Sequence, residues 1–311
     1  MTSRYAIAIA LLLGQGLLAV PRPSEAQTIT VTLLGTGGPP PSLVRFGPST
    51  LVEAGGQRFV FDAGRGASQR LSQAGVRWQQ VDGVLFTHLH SDHVVGFPDL
   101  WLTGWLVGAG RTRPLRVWGP GGTAAHLAHL RQAYEFDISV RLSDDRASPA
   151  GLELLAADIG EGVVHDSGGV RITAFLVDHA PVEPALGYRI DYGGRSVVIS
   201  GDTRQSENLV RHARGVDLLI HEVASPESFA RSGVPPERVR SVLAHHVTPE
   251  EAGDVFRRTT PRLAVYSHII QPTATEEDLL PPTRRVYAGR LEVGADLMVI
   301  VVGDSIEVRH P

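Results

Sequence analysis

The feature that most constrains this chain is a cluster of three histidines and one aspartate at the end of a short apolar segment. Residues 81–86 (VDGVLF) predict a buried strand, and THLHSDH follows directly at residues 87–93. The ligand-type side chains of this stretch are His88, His90, Asp92 and His93. Imidazole and carboxylate are groups that Zn²⁺ and similar divalent ions prefer. Because a strand end holds such side chains at fixed positions, the cluster predicts a metal site on a fold that contains a sheet.

A site for two metal ions needs more than four ligands, and three further candidates occur later in the chain. His179, Asp202 and His268 each follow a different apolar segment that predicts a short strand. Any one of them alone is more often an ordinary loop residue. All three have the same position relative to a strand, however, as a site on the edge of a sheet requires. The three therefore support one another as ligands.

Predicted strands and helices alternate along the rest of the chain. Residues 49–53 and 58–62 flank Gly55-Gly56 and predict a hairpin. Helices are predicted at residues 67–73, 100–107, 123–133 (with Thr123 as the N-cap) and 249–258. Residues 143–168 lack a regular pattern and predict an irregular surface excursion. Strands precede helices in both halves, which predicts an α/β fold of the αββα type in a single domain, residues 27–311.

Composition narrows the range of partners. The chain has 311 residues, of which 42% are hydrophobic, so it can bury a large core. A formal net charge of −4 and a pI near 6.3 provide no general basic surface and argue against nucleic acid as a partner. The absence of cysteine excludes disulfides and a cysteine-rich structural zinc site.

The N-terminal residues have the pattern of a secretory signal. Arg4 precedes an apolar run at residues 6–20, and Ser24-Glu25-Ala26 is a small-x-small cleavage motif. The run is shorter than the roughly 20 residues that span a bilayer. We expect a signal peptide over residues 1–26, cleaved near Ala26, and a periplasmic or secreted bacterial protein without stable membrane insertion. A retained N-terminal anchor is the alternative.

Several short motifs accompany the candidate ligands at spacings typical of one fold family. These motifs are LGTG (34–37), FDAG (61–64), WGPG (118–121), GYR (187–189), GDT (201–203), HE (221–222) and HVTPE (246–250). With the THLHSDH stretch, they resemble the metallo-β-lactamase-fold hydrolases, and within these the branch of ribonuclease Z and related arylsulfatase-type and phosphodiesterase-type enzymes. The resemblance covers nearly all of residues 27–311. It implies a four-layer αββα sandwich, two zinc ions per chain and a homodimer.

The resemblance also implies a role for each matching residue. His88, His90 and His179 would bind one zinc ion, Asp92, His93 and His268 would bind the second, and Asp202 would bridge them. Two such ions can share a hydroxide that attacks the substrate, and Asp92 would accept its proton. His246 would protonate the leaving oxygen, and Glu222 would orient it. His221 is expected mainly to pack. His246 is preferred to His245 as the proton donor because only His246 has Thr248 and Glu250 at the spacing of the family motif.

One departure from ribonuclease Z guides the choice of substrate. GYRIDYGGR (residues 187–195) leads directly into the next strand and leaves no room for the basic arm with which that family grips tRNA. We therefore expect hydrolysis of a phosphate or sulfate ester of a small anionic molecule. The alternatives are a ribonuclease Z-type 3′-tRNA-processing endoribonuclease, a lactone or β-lactam hydrolase, and an inactive metal-stabilised binding protein. Five arginines are candidates for contact with an anionic substrate, although each is more often a solvated surface residue: Arg45, Arg65, Arg111, Arg113 and Arg204.

Overall fold

The computed structural model describes residues 27–271 and 273–311. Within these residues the strands form two mixed sheets that pack face to face. The expected signal peptide, residues 1–26, lies outside the described residues. Among the residues described, no helix is long and apolar enough to cross a bilayer.

The first sheet has the strand order β15-β14-β1-β2-β3-β4-β5-β6 among the described residues. Its strands are β1 (Ile29–Gly35), β2 (Ser49–Ala54), β3 (Gln57–Phe61), β4 (Gly83–Leu85), β5 (Leu115–Gly119), β6 (Leu154–Asp158), β14 (Val299–Val302) and β15 (Ile306–Arg309). Strands β3 to β6 run parallel to one another, whereas the others pair antiparallel. The predicted hairpin is confirmed, since β2 and β3 pair in register from Thr50–Phe61 to Ala54–Gln57.

The second sheet has the order β13-β12-β11-β10-β9-β8-β7 in the part of the chain that is described. Its strands are β7 (Gly162–Ser167), β8 (Val170–Val177), β9 (Ala185–Tyr192), β10 (Arg195–Ile199), β11 (Leu218–Val223), β12 (Leu263–Ile269) and β13 (Leu291–Val293). Strands β10 to β13 are parallel, and β8 runs in the same direction because two antiparallel pairings separate it from β10. The carboxyl ends of β8, β10, β11 and β12 therefore share one edge of the sheet.

Helices cover the outer face of each sheet. Their bounds are α1 (Ala67–Gln73), α2 (Ser91–Val94), α3 (Phe97–Leu106), α4 (Thr123–Ala133), α5 (Glu135–Ser143), α6 (Pro149–Leu152), α7 (Glu207–Ala213), α8 (Pro226–Ala230), α9 (Pro236–Leu243), α10 (Pro249–Thr259) and α11 (Glu276–Arg284), with a 3-10 turn at Trp78–Gln80. One apolar cluster lies between the sheets, one between the first sheet and α1, α3 and α4, and one between the second sheet and α7, α10 and α11. This arrangement is the predicted αββα sandwich.

Two expectations about local structure are wrong. Thr123 is the first helical residue of α4 and not its N-cap; Gly122 precedes it with φ 101°, and Asp158 accepts hydrogen bonds from the backbone N–H groups of Gly122 and Ala124. The expected irregular excursion at residues 143–168 contains α6, β6 and all of β7. Both strands lie at sheet edges and are partly exposed, so their sequences lack the apolar pattern of a buried strand.

Candidate metal centre

The seven predicted ligands converge at the edge of the two sheets where parallel strands end. Their donor atoms form two groups, each with all of its atoms within 4.8 Å of one another. The first group is His88, His90, His179 and Asp202, and the second is Asp92, His93 and His268. The two sheets are joined at this edge, because the Leu186 N–H donates to Thr87 O at 2.8 Å and the Ile269 N–H donates to Thr36 O at 2.8 Å.

Asp202 lies between the two groups. Its Oδ2 is 3.7 Å from His88 Nε2 and 3.9 Å from His179 Nε2, both in the first group. The same oxygen is 3.4 Å from His93 Nε2, and Oδ1 is 3.5 Å from His268 Nδ1 in the second group. This is the position that a carboxylate shared by two cations would occupy.

The donor atoms of the site fit a bound cation. Asp202 Oδ1 and His268 Nδ1 are buried and have no hydrogen-bond partner in the described part of the chain. An unpaired buried polar atom is costly unless a cation or another ligand satisfies it. His93 Nε2 and His268 Nε2 also face each other at 3.1 Å, as do His88 Nε2 and His90 Nδ1 at 3.0 Å. Nitrogens and oxygens crowded in this way form the donor set that zinc prefers.

The protonation of the first group favours metal binding. Burial lowers the pKa of His88 well below its ordinary value and lowers that of His179 to about 4, so both are neutral near pH 7. Burial acts to raise the pKa of Asp202, but the neighbouring His268 and His93 hold it well below its ordinary value. Neutral imidazole and ionised carboxylate are the forms that coordinate metals.

In the second group the carboxylates raise the pKa of the histidines. Burial opposes a charge on His93 and His268, yet the Asp202 carboxylate raises the pKa of both. Burial likewise opposes ionisation of Asp92, but the hydrogen bond with His268 lowers its pKa to about 2. In the metal-free protein the two carboxylates therefore make protonation of these histidines easier. Metal binding would release any proton held on a coordinating nitrogen.

Asp62 is a supporting residue for which the sequence predicted no role. Its Oδ1 accepts the Thr87 N–H at 2.8 Å, and its Oδ2 accepts the Thr87 hydroxyl at 2.9 Å and lies 2.8 Å from His93 Nδ1. The contact fixes a proton on Nδ1 and leaves His93 Nε2 directed toward the cluster. Asp62 has φ 57° and His268 has φ 43°, so left-handed backbone orients two residues of the site. The only sequence signal was the FDAG motif itself.

The pair predicted to protonate the leaving group lies beside the ligands. His246 Nδ1 is 3.2 Å from Glu222 Oε1, and both side chains are buried. Burial raises the pKa of Glu222 well above its ordinary value, and the nearby Asp202 carboxylate raises it further. Burial lowers the pKa of His246 to about 4. Glu222 Oε1 accepts the backbone N–H groups of Thr203 and Val247, and neither Glu222 Oε2 nor His246 Nδ1 has a hydrogen-bond partner within the described residues. The two pKa directions favour a protonated carboxyl beside a neutral imidazole.

The two ambiguous histidines have distinct surroundings. His245 O accepts a hydrogen bond from His179 Nδ1 at 3.0 Å, so the backbone and not the side chain of His245 orients a candidate ligand. His221 is fully buried, donates from Nδ1 to Glu222 O at 2.9 Å and packs edge-on against Phe256. Packing is the role expected for His221.

A cavity of about 350 Å³ opens beside the ligands. None of the five arginines proposed as substrate contacts lines it within the described residues. Arg45 donates to Thr36 and Gly294, Arg111 is buried and donates to Trp78 O, Arg113 pairs with Asp82, Arg204 pairs with Asp178, and Arg65 lines a separate cavity. Arg238 of α9 does line the cavity, although no sequence motif marked it.

The fold and this centre define a metal-binding α/β sandwich, and comparison with known proteins identifies its family. The chain matches the β-lactamase superfamily domain over residues 57–269. It is 37% identical over 284 residues to ribonuclease Z of Mycolicibacterium gilvum, covering 89% of this chain and 98% of that protein. It is also 37% identical over 276 residues to ribonuclease Z of Mycobacterium marinum, covering 86% and 97%.

Solved structures show the same fold. A metallo-β-lactamase fold protein from Bacillus subtilis superposes with a TM-score of 0.67 at 18% identity, covering 89% of this chain and all of the other. The short form of human tRNase Z gives 0.66 at 21% identity, covering 87% and 98%. The chain belongs to the metallo-β-lactamase superfamily, is related to ribonuclease Z, and is a metal-dependent hydrolase with a His/Asp metal site.

Proposed function

We propose that the protein is a zinc-dependent phosphodiesterase of the ribonuclease Z type that cleaves RNA. The observation that carries the proposal is the position of Asp202 between two groups of histidine and aspartate donors. The relatives named ribonuclease Z supply the substrate class. Their names weaken the expectation, drawn from net charge and the missing arm, that nucleic acid is not a partner.

We assign the zinc ligands as the sequence predicted. His88, His90 and His179 would hold one ion, Asp92, His93 and His268 the other, and Asp202 both. When bound, two zinc ions supply Lewis-acid activation of water and neutralise charge on a phosphate. Buried neutral imidazoles and the ionised Asp202 are suited to this set.

The remaining chemistry is assigned to three side chains. Asp92, with a pKa of about 2, is ionised at neutral pH and would accept a proton from the attacking water. His246 would donate a proton to the leaving oxygen. Because burial keeps His246 neutral and Glu222 protonated, Glu222 would pass its proton to Nδ1 as Nε2 gives one up. The leaving oxygen thus gains one proton and Asp92 holds the proton taken from water. Proton exchange with solvent then returns Asp92 to its ionised form and Glu222 to its protonated form.

The test begins with a panel of substrates on zinc-loaded protein. It contains an RNA with a 3′ extension after a tRNA body, bis(p-nitrophenyl) phosphate, p-nitrophenyl sulfate and a lactone. We expect cleavage of the RNA and of the phosphodiester. Hydrolysis of the lactone or the sulfate alone would overturn the assignment.

A leaving-group series then tests the proton donor. His246→Ala should slow aryl methyl phosphates with poor leaving groups by about 10²–10⁴-fold and affect nitrophenyl esters much less. Glu222→Gln should show the same selectivity in weaker form, because it removes the proton supply without removing the imidazole. A uniform loss across the series, with zinc content unchanged, would remove the catalytic role from His246.

One observation favours a second candidate, the hydrolysis of a small phosphate or sulfate ester. Strands β9 and β10 are joined only by Gly193-Gly194, and Tyr192 pairs directly with Arg195. No segment at this hairpin projects to hold a folded RNA. Hydrolysis of bis(p-nitrophenyl) phosphate or p-nitrophenyl sulfate without detectable cleavage of the 3′-extended tRNA would favour this candidate.

We also propose that the protein is exported, on the basis of the sequence pattern of residues 1–26. Fractionation of the native bacterium and sequencing of the mature N-terminus test this proposal. A mature chain that begins near Gln27 outside the cytoplasm would support it. An unprocessed protein found only in the cytoplasm would contradict it.

A further inference from the structure

The cavity beside the metal ligands has two unlike walls. One wall consists of polar ligand residues, including His90, Asp92 and His268. A second part of the lining, the apolar wall, consists of six side chains: Pro39, Pro40, Phe229, Val234, Val242 and Ile270. A phosphate alone would need only the polar wall. The apolar wall indicates that the group attached to the scissile phosphate is itself largely apolar or aromatic.

Three side chains of the apolar wall come from the segment between β11 and His246: Phe229, Val234 and Val242. Phe229 of α8 and Ile270, which directly follows β12, are nearly completely buried and form a small core. Val239 and Val242 of α9 pack against that core. The wall is thus held by its own packing beside the ligands.

Arg238 is the one arginine or lysine that lines this cavity among the described residues. It lies one helical turn before Val242, and both side chains face the cavity from α9. The guanidinium is exposed and makes no ion pair or side-chain hydrogen bond within the described residues. Arg240, two residues further along α9, is also exposed but does not line the cavity. The two arginines therefore differ mainly in the direction they face.

We propose that Arg238 binds a second, non-scissile phosphate of an oligonucleotide substrate while the apolar wall contacts the intervening nucleoside. The inference rests on the proposed phosphodiesterase function and specifies its substrate. A guanidinium without a protein partner can form two parallel hydrogen bonds with phosphate oxygens. The apolar wall lines the same cavity as Arg238 and the ligands, and it suits a base, which has an apolar face. The preferred substrate then has at least two phosphates.

The test compares three dinucleotides that share one scissile linkage. NpN has only the scissile phosphate, pNpN has an added 5′-phosphate, and NpNp has an added 3′-phosphate. The wild-type protein should prefer one of the two phosphorylated forms. Arg238→Gln should reduce kcat/KM for that form about tenfold and leave NpN nearly unchanged, as expected for the loss of one charge-assisted contact. Arg240→Gln is the matched control and should behave as wild type.

A second variant separates the contribution of the apolar wall to substrate binding from that of the Arg238 charge. Val242→Asn should weaken all three dinucleotides to a similar extent, because every one of them contains the nucleoside that the wall would contact. Arg238→Gln should act only on the form with the added phosphate. Equal effects of Arg238→Gln and Arg240→Gln on every dinucleotide would overturn the proposal.

Binding is measured in parallel with analogues in which the scissile P–O bond is replaced by P–CH₂. Arg238→Gln should weaken the phosphorylated analogue about tenfold relative to Arg240→Gln. If the wild type hydrolyses no phosphodiester, the phosphodiesterase assignment fails, but this binding difference still decides the role of Arg238. Equal affinities in the two variants would refute that role even in an active enzyme.

Discussion

The substitution Asp62→Asn tests whether a residue that touches no metal controls metal binding. Asp62 accepts three donors, and the backbone N–H of Thr87 can only donate. An asparagine must therefore keep its oxygen toward Thr87 N and turn its amide N–H₂ toward His93 Nδ1. His93 Nδ1 would then have to accept, which places the ring proton on Nε2, the atom that faces the cluster. The new tautomer cannot bind a metal through Nε2.

The expected magnitude follows from the bonds involved. Loss of a partner that orients a metal ligand typically weakens metal affinity about 10–100-fold, or about 1.4–2.7 kcal/mol. We expect this loss at one of the two sites, the one that includes His93. The other site, with His88 and His179, should keep its affinity within a few fold. Zinc competition against a chromophoric chelator would resolve the two sites.

Asp217→Asn is the matched control. Asp217 is also a buried carboxylate; it accepts the Ser196 N–H at 2.8 Å and pairs with Arg262 at 2.7 Å. It lies at the start of β11, whereas the metal centre lies at the ends of the strands. Its replacement should reduce stability by about 1–3 kcal/mol without changing zinc affinity. Equal zinc affinity in Asp62→Asn and Asp217→Asn would refute the tautomer argument.

Three further predictions address other parts of the structure. Asp202→Ala should lose zinc from both sites, whereas His246→Ala should retain two equivalents of zinc by elemental analysis. Equal zinc losses in the two variants would show that the division into ligands and proton donor is wrong. Burial lowers the pKa of His221 to about 4, so its neutral form stabilises the fold above pH 6.5 and this contribution is lost as the pH falls toward 4. The free energy of unfolding, measured in urea, should therefore decrease between pH 7 and pH 5 by about 2 kcal/mol less in His221→Leu than in the wild type. An unchanged decrease would contradict this assignment. Thr248→Ala breaks the capping box with Glu251 and should cost about 1 kcal/mol by the same assay, with a loss below about 0.3 kcal/mol counting against the cap.

The sequence predicted the strands that carry the ligands because their apolar residues are continuous and buried. It also placed the ligands at strand ends, and parallel strands then bring His179, Asp202 and His268 to one edge. The ligand cluster at residues 87–93 is local in sequence. The strands and the positions of the ligands depend on neighbouring residues and on regular sheet geometry. A sequence pattern is therefore enough to predict them.

Features that depend on the direction of individual side chains were not predictable. Asp62 contacts Thr87 and His93 across 25 and 31 positions, and its role follows from a left-handed backbone that no composition signals. Helices α8 and α9 were not predicted, because α9 has no fully buried residue and its apolar positions are few. Arg238 and Arg240 look equivalent in sequence, and only the orientation of α9 separates them. The sequence analysis therefore proposed five other arginines as substrate contacts and did not include Arg238.

The central claim is that seven residues form one two-metal centre that hydrolyses phosphodiesters. Zinc titration into metal-free protein tests it most directly, with bound zinc and hydrolysis of bis(p-nitrophenyl) phosphate followed in the same samples. We predict that hydrolysis rises with the second equivalent and reaches a plateau at two zinc ions per chain. A plateau of bound zinc at one equivalent or none, or two bound ions without any phosphodiester hydrolysis, would contradict the claim.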